Sequence, residues 1–269
     1  MRRYSLLVVI LGCVLVAALL TWLAVSSSHF RWGDKPTAAS APRGDTVVQK
    51  LPDFRRLDVA GNAEITLVQG SEQSVVLPTN LPRKATVTAE VREGTLRIEA
   101  ADGLRWWDLL IGSGGRPAQV VVNFRDLDAI ATAGSVRVAA TAIRVPALKI
   151  AGAGGTQITI DELAAEQLRL SGAGALKAEI AGKVDRQNVS ISGAGEYRSG
   201  KLVSQDATVS VAGAGKVVVN AQKTLKATIS GAGTVEYLGD PEVTRSVSGA
   251  GSVRRRESAT GGPALALAG

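Results

Sequence analysis

The chain has 269 residues, of which 45% are apolar, 4% aromatic and 20% charged, with 30 glycines but one cysteine and one histidine. These counts exclude a disulfide scaffold, a cysteine or histidine metal cluster and a Cys/His catalytic pair. Of the formal charge of +7, residues 1–50 supply +4, so the body is close to neutral, has no long basic stripe or interleaved aromatics, and is not expected to bind nucleic acid.

Arg2 and Arg3 precede Leu6–Val25, a stretch without charge. Twenty residues at a helical rise span about 30 Å, the thickness of a bilayer core. Cations before the span keep the N-terminus cytoplasmic, and Trp22 falls at headgroup depth near the far end. Secretory signal cores are shorter, about 7–15 residues. Residues 1–25 therefore read as an uncleaved inner-membrane anchor with the body in the periplasm. Cleavage after Ala24-Val25-Ser26 is the alternative. Ile10-Leu11-Gly12-Cys13 resembles a bacterial lipobox, but apolar sequence continues through Val25 and favours a small residue inside a membrane helix. Residues 26–51 hold Ser26-Ser27-Ser28, Pro36, Pro42 and Gly44 without an apolar period, and read as a flexible linker. His29 is a linker residue.

The folded part is placed at 52–257. Phe54–Val59, Ala63–Gln69, Ser74–Leu77 and the run Val120–Phe124 have strand composition, and Glu93-Gly94 marks a hairpin between Ala85–Val91 and Thr95–Glu99. Asp161–Leu168 is the best helix candidate, at one turn.

From residue 130 a motif recurs seven times: Ser-Gly-Ala-Gly or a close variant, ending at Gly134, Gly154, Gly174, Gly195, Gly215, Gly233 and Gly251, with intervals of 20, 20, 21, 20, 18 and 18 residues. Four positions before the last glycine stand Ile130, Ile150, Leu170, Ile191, Val211, Ile229 and Val247, all aliphatic. Two positions after it stand mostly apolar residues, and three after it mostly polar ones. That is strand alternation. A repeat this short cannot bury its own face and must stack on its neighbours. The predicted fold is all-β, a right-handed parallel β-helix with an N-terminal transmembrane helix. Rungs at about 4.8 Å would extend roughly 30 Å. Residues 53–125 would cover one end, Arg254-Arg255-Arg256-Glu257 would discourage pairing at the other, and residues 258–269 read as a flexible tail.

Phe54-Arg55-Arg56-Leu57-Asp58-Val59, Val68-Gln69-Gly70, Gly94-Thr95-Leu96-Arg97-Ile98, the Ser-Gly-Ala-Gly series and Tyr237-Leu238-Gly239-Asp240-Pro241 together resemble a bacterial family, the putative auto-transporter adhesin, head GIN domain. The resemblance runs from about Phe54 to Val253. It implies an exported β-helical domain with adhesion by analogy. No membrane barrel is read after residue 257.

β-Helices also carry polysaccharide lyases and hydrolases, which use carboxylates from neighbouring rungs. Glu196, Lys216 and Thr234 share one aligned position, while Glu179 and Glu236 fall at others, so no acid column forms. The sequence predicts no catalytic, cofactor or metal site. Trp106-Trp107 is the candidate partner-binding pair, with packing against one end as the alternative. The sequon at Asn188 applies only in a eukaryotic secretory path. The expected function is a non-enzymatic adhesin-like scaffold or interaction surface in the envelope, meeting a protein, a glycan or a further copy of itself. The alternative is a carbohydrate-active enzyme of β-helix type.

Overall fold

The computed structural model describes residues 46–78, 86–101 and 117–256. These form an all-β body without a helix, in which thirteen strands join one mixed sheet. Residues 1–25, read as the anchor, lie outside the described residues, and among those described no helix is long and apolar enough to cross a membrane.

The centre of the first part is β2 (Arg56–Gln69), bent at Gly61, whose φ is +102°. A Cβ there would collide with the Ala100 carbonyl of the neighbouring strand. β5 (Thr95–Ala101) pairs in parallel with its first half, Leu57 opposite Leu96, and β6 (Ala118–Phe124) with its second half, Ile65 opposite Val120. Three antiparallel strands finish this end. β4 (Thr86–Arg92) folds back on β5 through Glu93 and Gly94, whose φ values of 50° and 69° are those of a primed hairpin turn. β3 (Ser74–Pro78) pairs with β6, and β1 (Thr46–Lys50) pairs with β3. β1 lies inside the segment read as linker. All five of its residues are exposed, so it has no apolar period to betray it, and its register comes from the ladder with β3 alone.

Beyond residue 128 every strand is parallel to its neighbour. β7 (Ala129–Arg144) lies on β2, and β8 (Ala147–Gly193) lies on β7 with Ile130 opposite Ile150 and Val138 opposite Ile158. β9 (Glu196–Gly213) pairs with β8 and β10 (Lys216–Gly231) with β9. β11 (Thr234–Leu238) and β12 (Glu242–Ser248) both lie on β10, and β13 (Ser252–Arg255) ends the series on β11. The helical turn expected at Asp161–Leu168 is absent. That segment is strand within β8, and Leu163 and Leu168 are both fully buried from extended backbone.

One column of positive-φ glycines runs through the repeats, Gly61, Gly134, Gly154, Gly174, Gly193, Gly213, Gly231 and Gly249, while Gly182 and Gly239 lie against Leu163 and Ala221 elsewhere. A Cβ on Gly213 would stand 2.6 Å from the Gly193 carbonyl oxygen, which no side-chain-bearing residue tolerates. This column corrects the sequence alignment. Up to Gly174 the corner is the last glycine of the motif, but from Gly193 onward it is the first. The register therefore slips by two. Ile191 pairs with Val211, and Val211 with Ile229, as expected, but Val189 occupies the place above Leu170. The tyrosine of the fourth repeat, Tyr197, pairs with Ala178 rather than Leu176.

The slip exchanges bulk across the bend. In the third repeat Gly172 precedes the corner and Leu176 follows it, and a Cβ on Gly172 would strike the leucine Cδ2. In the fourth, Ile191 precedes the corner and Gly195 follows it, where a Cβ would meet the isoleucine Cγ2 at 2.6 Å. Leu176 thus fills the inside of the bend from one side in the third repeat and Ile191 from the other in the fourth, whereas in the first two repeats Thr132 and Thr156 meet there, their hydroxyls 3.0 Å apart. The motif alanines Ala133, Ala153, Ala173, Ala194, Ala214 and Ala232 all face solvent.

The interior is a continuous apolar column from Phe54 to Val235. Each aliphatic chain buried there contributes about 1.5–3 kcal/mol before its entropy is charged. Two polar groups interrupt it: the paired hydroxyls of Thr132 and Thr156, and a cluster around Gln187. Gln187, fully buried, donates from Nε2 to Ser204 Oγ at 2.7 Å, while its Oε1 accepts from Tyr197 Oη at 3.2 Å and from Ser199 Oγ at 3.3 Å. Burial pushes the Tyr197 phenol well above its ordinary range. Among the described residues no buried side-chain polar atom lacks a partner, so the cluster fixes register without leaving a group unsatisfied.

Candidate functional site: two unlike outward faces

Strand alternation sends every second residue outward, so the bend divides the parallel part into two faces. The face after the bend is a charge mosaic. Lys177, Glu196 and Lys216 follow one another up one column. Glu179, Arg198, Val218, Glu236 and Arg254 form the next. Glu179 and Glu236 thus share a column, which the slip concealed in the sequence, but Arg198 and Val218 stand between them. Arg198 reaches Glu196 at 2.7 Å. Glu236, 7% exposed, receives Arg254 at 2.6 Å, Arg256 at 3.5 Å and Lys216 at 3.9 Å. The Arg254 hydrogen bond, helped by the charges of Lys216, Arg254 and Arg256, holds the Glu236 carboxyl below the usual carboxylate range. Glu196 and Glu236 are spent on structural cations. In the β7–β8, β8–β9 and β9–β10 ladders no acid stands opposite another, and no three His, Cys, Asp or Glu converge as a metal site among the described residues.

The face before the bend is different. Its column nearest the bend is alanine or serine throughout, from Ala133 to Ser248. The next reads Ala131, Ala151, Ser171, then Ser190, Ser210, Thr228 and Ser246. The third reads Ala129, Lys149, Arg169, Asn188, Thr208, Lys226 and Thr244. No acid stands in these three columns between Ala129 and Ser248. A shallow hollow of about 300 Å³ lies where the second and third columns meet. Lys149 and Arg169 line one end of it, Asn188 and Thr208 continue along it, and Ser171, Ser190 and Ser210 form its flank. With its amide oxygen turned toward Arg169, Gln167 accepts from that guanidinium at 3.1 and 3.3 Å. The alternation made this face foreseeable as polar, but its freedom from acids emerges only in the true register.

Trp106 and Trp107, the pair singled out in the sequence, lie outside the described residues.

The profile of one protein family matches residues 53–241. This chain belongs to the putative auto-transporter adhesin, head GIN domain family. Solved structures agree on the fold. A putative adhesin from Bacteroides fragilis superposes with a TM-score of 0.71 at 18% identity, over 80% of this chain and 98% of that one. A putative adhesin from Parabacteroides merdae gives 0.59 at 19% identity, over 79% and 96%. A protein from Parabacteroides distasonis described as putative lipid binding gives 0.57 at 23% identity, over 79% and 96%. At these identities the likeness carries the fold alone. No curated protein matches the sequence significantly. The last strands, β12 and most of all β13, fall beyond the family match.

Proposed function

We propose that this GIN-domain protein is a non-enzymatic, adhesin-like scaffold of the cell envelope, built as a right-handed parallel β-helix and held in the inner membrane by residues 6–25 with its body in the periplasm. Family membership supports the adhesin-like part. Parallel pairing at intervals of about twenty residues supports the helical winding, because parallel crossovers are right-handed in nearly all sheets. The observation that carries the scaffold reading is the distribution of charge. Glu196 and Glu236 of the mosaic are held by neighbouring cations, while Lys149, Arg169 and Lys226 of the other face meet no carboxylate among the described residues. Enzymes that cleave polysaccharides need at least two acids facing one groove.

The test uses beads coated with the full chain and isolated bacterial cell-wall sacculi. Retention of the sacculi without release of soluble saccharide is the expected result. The Ile191→Asp variant, which places an unpaired charge in the core, should unfold and lose retention. Release of sugar fragments, or equal retention by the unfolded variant, would overturn the scaffold reading.

A further inference from the structure

We infer that the acid-free face is a binding surface for an acidic polysaccharide, a sugar chain bearing carboxylates, centred on Lys149 and Arg169. This deepens the scaffold reading and rests on it.

Charge gives the first argument. Lys149 and Arg169 sit at the same outward position of successive repeats, roughly 4.8 Å apart in backbone spacing, and Lys226 continues the column three repeats on. On the opposite face Glu196 and Glu236 are paired with cations. Here cations stand without a carboxylate in any of the three columns. Among the described residues Lys149 makes no ion pair, and Arg169 meets only the neutral Gln167 amide. Lys149, Arg169 and Lys226 form a row of like charge that no carboxylate of these columns offsets, and the complement is an anion.

Shape gives the second. The hollow is shallow and runs along the stack rather than into it, so its occupant is extended. The flank is serine and alanine, which keep the surface flat and lose little rotamer entropy on contact. Asn188, Ser190, Thr208 and Ser210 border the hollow at successive rungs, while the surface open within it is almost wholly carbon, as the C–H face of a sugar ring requires. Hydroxyls and amides alternating as donor and acceptor match the hydroxyls of sugars, and the two cations match carboxylates borne on them.

The test measures binding of polygalacturonate to the full chain by calorimetry, beside neutral dextran and duplex DNA. Polygalacturonate should bind, more weakly as salt rises. Lys149→Gln with Arg169→Gln should weaken it at least tenfold. Arg137→Gln with Lys183→Gln, which removes two cations from other faces, should leave it within twofold. Equal binding of dextran would show that charge is not read, and equal binding of DNA that the sugar is not. Either result, or indifference to the first pair of substitutions, overturns the proposal. If sacculi are still retained while polygalacturonate is not bound, the scaffold reading stands and this assignment falls.

Discussion

The bend of each repeat is decided by a single residue. At Gly213 two demands coincide: φ of +120° and a backbone oxygen 2.6 Å from any Cβ. Gly213→Ala should therefore cost about 2–4 kcal/mol, seen as a lower midpoint in urea unfolding. Ala212→Ser, one residue earlier and facing water, should change it by less than about 0.5 kcal/mol. The second glycine of the motif answers to volume instead. Gly172→Ala meets Leu176, so Leu176→Ala should relieve it, leaving the double variant about 1–3 kcal/mol more stable than the sum of the singles predicts. Strict additivity would show that the two residues do not share one space. The sequence displays both glycines in nearly every copy but not which of them bends the chain, because the two jobs use the same residue. The aliphatic column was legible because alternation with period two is visible without knowing the register. Its slip between Leu170 and Ile191 was not.

At the scale of strands, ladders between parallel neighbours bring together groups that are some twenty positions apart in the chain. Glu236 shows the energetic result. Its carboxylate is stabilised by Arg254 first, then by Lys216 and Arg256, so its folded pKa lies below its unfolded one. Such a group adds stability that is present above the unfolded value, near pH 4.3, and is lost as pH falls through the folded value. Glu236→Gln should lower the melting temperature by a few degrees at pH 7. The deficit should shrink as the solution is acidified, and a deficit constant down to pH 2 would show that charge is not its source. The hairpin at Glu93-Gly94 and the strands flanking it were readable from local turn chemistry. β1 was not, since an edge strand with both faces wet has no pattern, and Val47 and Val48 stay 52% and 64% exposed.

The molecule as a whole has two unlike ends. The N-terminal end closes with antiparallel strands, β4 on β5 and β1 on β3. The C-terminal end stops on parallel strands, where Val247 is 41% exposed and Arg245 occupies the column filled below by Val189, Val209 and Ala227. A guanidinium at a position that a further rung would bury makes stacking on that end costly. Arg245→Val should therefore associate as concentration rises, while the native chain sediments as one species. Equal sedimentation of the two would show that the arginine does not guard this end. The candidate surface was only partly legible for a related reason. Its hydroxyls stood out as polar residues, but a face defined by what it lacks becomes visible only when all its columns are aligned.

The change of hinge between Gly174 and Gly193 divides the parallel strands into two dialects. A duplicated unit copied from residues 155–174 can be spliced in after Gly174, and a copy of 194–213 after Gly213, because each brings the bulk its new neighbours expect. Placing the second copy after Gly174 would set Val211 against Leu176 at one bend and leave Gly172 facing Gly195 at another. Duplication within a half should therefore keep the urea midpoint close to that of the native chain, and insertion across the seam should lower it.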